Sequence, residues 1–233
     1  SVVAIGLCAA AGQASAQLAL TPAGQARNFQ LTNFITGYPS PGGLGPVGVD
    51  YQPDGTVLVT EYASNQIRRF SNVDNQVYTS GTLLNYPGGE FPHDVAHVGN
   101  KLYASLYSSQ AVLELNPDGS INHTVASGIG NARSMEVHPT SGLIYVSTVQ
   151  GVRVVNPVTG AFSPLNNIEV DGMAISADGT VLYGSVLSNG PGGHIVGFDT
   201  TTGATVFDSG FVGGGGLDGL VLGFGPFAGN IYA

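Results

Sequence analysis

Charge is scarce in this chain. Asp, Glu, Lys and Arg make up 9% of its residues, against about a quarter of an ordinary soluble domain, so hydration falls to Gly, Ser, Thr and Asn. Fifteen acidic against six basic residues leave a formal charge of −9. That is the wrong sign for tracking a phosphate backbone or an anionic bilayer, so nucleic acid is not an expected partner. Tryptophan is absent, and Cys8 is the only cysteine. With one thiol, the chain can form no internal disulfide and no thiolate metal cluster. No apolar run is long enough to span a membrane as a helix. Past residue 16, Pro and Gly interrupt every stretch that starts a helical apolar period. Glycine is what abounds, with 36 residues in a chain that is 42% hydrophobic, enough apolar material for a packed core.

The opening, "SVVAIGLCAAAGQASAQ", is small and apolar and closes on Ala14-Ser15-Ala16 before Gln17. That is the form of a secretory cleavage site, so residues 1–16 are expected to be a signal peptide, clipped at its start, on a protein secreted to the periplasm, the cell surface or the medium. Residues 17–44 form an N-terminal segment, and 45–233 carry the repeating part. Asn122-His123-Thr124 also matches a glycosylation acceptor.

The repeat has a clear phrase. "PVGVDYQPDGTVLVTEY" (46–62), "PHDVAHVGNKLYASLY" (92–107), "RSMEVHPTSGLIYVST" (133–148), "VDGMAISADGTVLYGS" (170–185) and "DGLVLGFGPFAGNIYA" (218–233) are each a short apolar strand, a turn rich in Asp, Asn, Pro or Gly, and a second strand. Val49, Val95, Met135, Met173 and Leu220 occupy one column and recur about every 43 residues, close to the length of one propeller blade. Third strands follow at "QIRRF", "AVLEL", "GVRVV" and "HIVGF", and outer strands at "SINHT" and "ATVFD". The spacing therefore predicts an all-β chain, a β-propeller of four-stranded blades A to D. Four units and the start of a fifth are visible; a six-bladed ring continuing beyond residue 233 is expected, with residues 28–38 able to serve as the closing outer strand.

Strand polarity assigns the loops to two ends. The A–B and C–D turns share one end, and there Asp54, Asp118 and Asp178 read as turn formers. The starts of the innermost strands lie at the other end, around the channel opening. One column at those starts reads Val47, His93, Arg133, Asp171 and Asp218. A constant scaffold carrying a varied polar ring suggests a ligand site, although residues at this position could equally lock neighbouring blades together. Glu61, Tyr62 and Tyr107 fall in B–C loops at the same end and are candidates for its rim. Asp94 follows His93 and belongs to the candidate set as a metal ligand. His97, His123, His138 and His194 read as structural or surface residues. No G-x-S-x-G, H-E-x-x-H or P-loop occurs, and "GGGG" (213–216) is a link between blades.

Two phrases resemble known families. "PVGVDYQPDGTVLVTEYASNQIRRF" resembles the repeat of NHL and virginiamycin B lyase-like propellers, and "VDGMAISADGTVLY" resembles the gluconolactonase and regucalcin (SMP-30) family. The second resemblance implies a divalent cation such as calcium in the channel, held in part by the D-G-M aspartate, here Asp171, which would also act as catalytic base. The family's asparagine ligand falls at Arg133 and its glutamate at Leu44, neither of which offers an oxygen to a hard cation. Asp218 and Asp94 would have to complete the set. The leader, the low charge and the "GPFAGNIYA" ending are similar to exported bacterial surface propellers.

The function expected from these readings is an exported, monomeric binding or surface-assembly module. It would use the channel-opening face, through His93, Arg133, Asp171, Asp218, Glu61 and Tyr107, to hold a small molecule, glycan or protein. The alternative is a metal-dependent lactonase or a lyase of the virginiamycin B lyase type, with metal ligands among Asp171, Asp218 and Asp94.

Overall fold

The computed structural model describes residues 22–26, 30–39, 45–186, 192–213, 217, 219–223 and 228–232. A one-turn helix α1 (Pro22–Ala26) and a short strand β1 (Ile35–Thr36) precede the repeats. Four antiparallel sheets follow, each wound in sequence order.

The first blade holds β2 (Val49–Tyr51), β3 (Thr56–Glu61), β4 (Gln66–Ser71) and, after β5 (Gln76–Val77), the outer β6 (Thr82–Leu83). The second holds β7 (Pro92–Val98), β8 (Lys101–Leu106), β9 (Ala111–Leu115) and β10 (Ile121–Ser127). The third holds β11 (Ala132–Val137), β12 (Ile144–Thr148), β13 (Gly151–Val155) and β14 (Phe162–Pro164). The fourth holds β15 (Met173–Ile175), β16 (Val181–Val186), β17 (Gly192–Asp199) and β18 (Thr205–Asp208), with β19 (Val212–Gly213) pairing to β17. A fifth begins with the pair β20 (Val221–Leu222) and β21 (Ile231–Tyr232). The first strands pack in sequence, β2 on β7, β7 on β11, β11 on β15 and β15 on β20, as inner strands of a propeller must.

The second strands explain why the chain reads as runs of apolar residues rather than as strict alternation. Both of their faces are covered, so every residue of β12 and all but Lys101 in β8 are buried. Alternate residues of β8 feed two different cores. Leu102, Ala104 and Leu106 join Leu58 and Ile67 between the first two blades. Tyr103 joins Met135, Ile144 and Val146 between the second and third. Tyr145 and Val152 meet Met173, Leu182 and Phe198 one blade further on. Each such side chain contributes about 1.5–3 kcal/mol when fully buried. The outer strands carry the exposure: all of β14 and β18, and the first four residues of β10.

The turns are built as expected. Asp54, Asp118 and Asp178 accept the backbone N–H two residues on, from Thr56, Ser120 and Thr180, at 2.9, 3.0 and 3.1 Å. The intervening Gly55, Gly119 and Gly179 take φ of 81°, 88° and 76°, which a side chain would disfavour. Residues 30–39 pack on the first blade. β1 pairs parallel with β5, and Phe34 packs with Val57, Val59 and Phe70, on the opposite side of β3 from Leu58.

Candidate functional site

The ends of the second strands carry a device absent from the sequence-based expectations. Thr60, Ser105, Ser147 and Ser185 sit at equivalent positions and are fully buried. Each accepts a backbone N–H from the inner strand of its own blade: Gly48, Asp94, Ser134 and Gly172, at 2.8–3.0 Å. Among the described residues, Thr60 donates to the carbonyl of His93 in the next blade, Ser105 to that of Arg133, and Ser147 to that of Asp171. His93, Arg133 and Asp171 of the polar column are therefore fixed by their backbones. Their side chains are left to other partners.

Two groups of side chains result. In one, Tyr62, Phe91, His93 and Tyr107 form a partly exposed aromatic cluster. Tyr62 lies 4.9 Å from Phe91, 5.6 Å from His93 and 6.1 Å from Tyr107, centroid to centroid, and His93 stacks on Tyr107 at 6.1 Å. The loop carrying Tyr107 is pinned at both ends of that residue. Its N–H donates to the Phe91 carbonyl and its own carbonyl accepts from Asn131 Nδ2. Burial, then the neighbouring Tyr107, push the Tyr62 hydroxyl upward, so it stays a neutral phenol at ordinary pH. In the other group, Arg133 Nη1 lies 3.0 Å from Glu169 Oε1 and 3.3 Å from Asp171 Oδ1. Adjacent blades thus place one guanidinium between two carboxylates. Arg133 and Asp171 retain 15% and 17% exposure, so the pair is reachable from solvent without being fully solvated.

Other candidates lie apart from these groups. Asp218 falls outside the described residues, as do Leu44 and Cys8. Glu61 is no rim residue. It is 3% exposed, pairs with Arg68 at 2.9 Å, and accepts from Ser64, Tyr78 and Tyr38. The alternation along β3 decides this, because Glu61 continues the Val57 and Val59 side toward the N-terminal segment. The expected cation set also meets resistance. Asp94 uses its oxygens on the N–H groups of Val95 and Met135, at 2.9 and 2.8 Å, and Asp171 faces Arg133. Among the described residues no group of three or more His, Cys, Asp or Glu is arranged to hold a metal ion.

The remaining histidines have local partners. His97 Nδ1 meets Asp50 at 2.9 Å across the first two blades, and His194 Nδ1 meets Asp208 at 2.9 Å within the fourth. His138 Nδ1 accepts N–H groups of its own hairpin, from Thr140 and Ser141, and His123 is exposed on β10. Sequence spacing could have revealed the hydroxyl positions, since each stands at the same place in its repeat: T in "VTE", S in "ASLY", "VST" and "GSV". It could not have shown that Asp50 faces His97, because that pair joins positions one whole blade apart.

Sheets wound A to D about a shared line of inner strands define a β-propeller. Solved structures agree on that fold. Virginiamycin B lyase from Staphylococcus aureus superposes with a TM-score of 0.52 at 14% identity, over 70% of this chain and 54% of that one. A gluconolactonase from Xanthomonas campestris, XC5397, gives 0.59 at 15%, over 76% and 66%. Kuenenia stuttgartiensis hydrazine synthase gives 0.59 at 14%, over 83% and 55%. The chain spans about half the length of the first solved structures it matches. No protein-family model and no curated protein matches the sequence. At this identity the likeness establishes the propeller fold, the one expected from the NHL-like and SMP-30-like phrases, and that fold serves a lyase and a lactonase among these neighbours.

Proposed function

We propose that this chain belongs to an exported propeller that binds a glycan or similar hydroxyl-rich small molecule at the channel-opening face. The reading is supported chiefly by one observation. Tyr62, Phe91, His93 and Tyr107 gather at the end of the inner strands where the adjoining blades place Arg133, Glu169 and Asp171. Aromatic faces take the C–H face of a sugar ring, while carboxylates and a guanidinium exchange hydrogen bonds with its hydroxyls. Arg133 is offset by two carboxylates, so the polar half of the patch carries no surplus positive charge, which suits a neutral ligand better than an anionic one. Export rests on the leader-like residues 1–16.

Binding to a glycan array, followed by calorimetry on the best hit, tests the proposal. Tyr107→Ala is expected to weaken affinity about tenfold or more, the cost of about 1.4 kcal/mol or more at an aromatic anchor. Binding unchanged in both Tyr107→Ala and Arg133→Ala would remove the site.

The enzymatic alternative requires a cation at Asp171, and the 3.3 Å approach of Arg133 places a fixed positive charge there instead. Melting with and without calcium, magnesium, manganese or zinc separates the two. A ligand at about a hundred times its dissociation constant adds about 2.7 kcal/mol to a folded protein. A metal-dependent rise that Asp171→Ala abolishes would favour lactone hydrolysis. An unchanged melt is the expected result.

A further inference from the structure

At the hairpin end of the inner strands, away from His93 and Arg133, the first three blades leave a cavity of about 560 Å³. Pro53 reaches it from the turn after β2, Val98 and Asn100 from the end of β7 and its hairpin, and Val137 and Pro139 from the end of β11 and its hairpin. That volume is in the range of small-molecule sites. Two prolines from the flanking blades and two valines supply apolar wall, and His97 lies among them.

His97 sets the chemistry. Its Nδ1 lies 2.9 Å from Asp50 Oδ2, which also accepts a hydrogen bond from Gln52 Nε2 at 2.6 Å. That oxygen is an acceptor, so Nδ1 carries the proton and Nε2 keeps its lone pair in the neutral ring. A carboxylate behind Nδ1 also raises the basicity of the other nitrogen. Asp50 is 18% exposed against 34% for His97, so the ring turns its Nε2 edge outward, to the cavity it lines. Among the described residues no hydrogen bond engages His97 Nε2 or the Asn100 carboxamide.

The other lining groups narrow the ligand. His138 Nδ1 accepts the N–H groups of Thr140 and Ser141, both at 3.3 Å, and its ring lies against Gly179 in the turn of the fourth blade. It is wall, with no second free lone pair to set beside His97, so the cavity does not suit a metal ion. Among the described residues no Lys or Arg lines it, and Asp50 stands directly behind His97. A carboxylate or phosphate would therefore meet no fixed cation there, in a chain whose formal charge is already −9.

We propose that this cavity is a second ligand site, for a small aromatic alcohol or amine that donates an O–H or N–H to His97 Nε2 and lays its ring against the proline and valine walls. The Asn100 carboxamide, with both donor and acceptor, meets a further polar substituent. The site is at the opposite end of the inner strands from the channel opening and is independent of what that face binds.

The test is NMR titration of the full, isotope-labelled chain with phenol, benzylamine and benzoate in turn, followed on the imidazole nitrogens and the backbone amides. Phenol and benzylamine are expected to shift His97 Nε2 and the amides of Asn100 and Thr140 along one saturable curve. Benzoate should leave them in place. His97→Gln should weaken binding of both donors about tenfold or more, the loss of one hydrogen bond in a partly buried site. Unchanged affinity in that variant, no saturable shift with either donor, or shifts confined to Tyr62 and Tyr107 would overturn the site. Benzoate binding as tightly as benzylamine would overturn its assigned chemistry. The ring nitrogens of the unliganded wild type read the same claim without a variant. A protonated Nδ1 beside a bare Nε2 supports it, and the reverse tautomer defeats it.

Discussion

Gly48 has no side chain because there is no room for one. Any Cβ there would lie 2.7 Å from the carbonyl oxygen of His93 and from the Asp94 Cα, both backbone atoms of the next blade. Backbone cannot rotate away as a side chain can, so Gly48→Ala must push β2 off β7. The expected loss is about 1–3 kcal/mol, the usual cost of overfilling a packed contact, read as a lower urea midpoint with unchanged slope. A wild-type midpoint would show that the inner strands have slack. The same scale shows what residue type alone conveys. The Asp in each D-G turn was legible at sight, since Asp followed by Gly does one local thing. The destinations of Glu61 and Asp94 were not legible, because a carboxylate's role depends on which strand faces it.

At the scale of the element, the second strand of each blade is the connector. Its apolar residues feed the cores on both sides, and its terminal hydroxyl joins two inner strands by hydrogen bonds. Ser147→Ala removes the acceptor of the Ser134 N–H and the donor to the Asp171 carbonyl, in a place with no water-exposed surface. Leaving such groups unpaired costs about 1–3 kcal/mol. Hydrogen exchange should show the Ser134 amide losing protection first, with the outer strand β14 unaffected. Uniform loss of protection over the whole blade would mean that the hydroxyl acts only through global stability. Because Ser147 holds the backbone of Asp171, this variant also tests whether the channel-opening groups depend on the staple. Ligand affinity should fall in Ser147→Ala more than in a turn variant of equal stability.

For the molecule as a whole, two families of carboxylates set opposite slopes with pH. Asp54, Asp118, Asp178, Asp199 and Asp208 are held below the usual range, each first by a hydrogen bond from its own turn or neighbour, with Asp178 down to about 2. Groups lowered by folding add stability above their unfolded pKa and lose it as pH falls through the folded one. These side chains lie at the surface, so each contributes little and salt weakens it. Asp50, Asp94 and Glu136 are raised by folding. Their contribution is complete below the unfolded carboxylate range and is lost as pH climbs toward about 7 to 8. The two slopes together place the stability maximum on the acidic side of neutrality. Melting temperatures across the acid and alkaline limbs check this, and a maximum above neutrality would contradict it.

The sequence by itself determined the propeller. Turn chemistry, two-sided apolar strands and a period near one blade are local properties, and local energetics sufficed to order strands A to D. Strand polarity also assigns the starts of the inner strands to one end without coordinates. Only the tertiary structure decided what those positions touch. Arg133 meeting Asp171, His97 meeting Asp50, and Asp94 wedged between its neighbours all join residues about one blade apart in sequence. Such contacts depend on how closely adjacent sheets approach and how they are rotated, and packing across a whole interface sets both. Repetition made the fold readable. The same repetition left the site undetermined, because every blade offers its inner strand to the channel and only packing selects which side chains are drawn into contact.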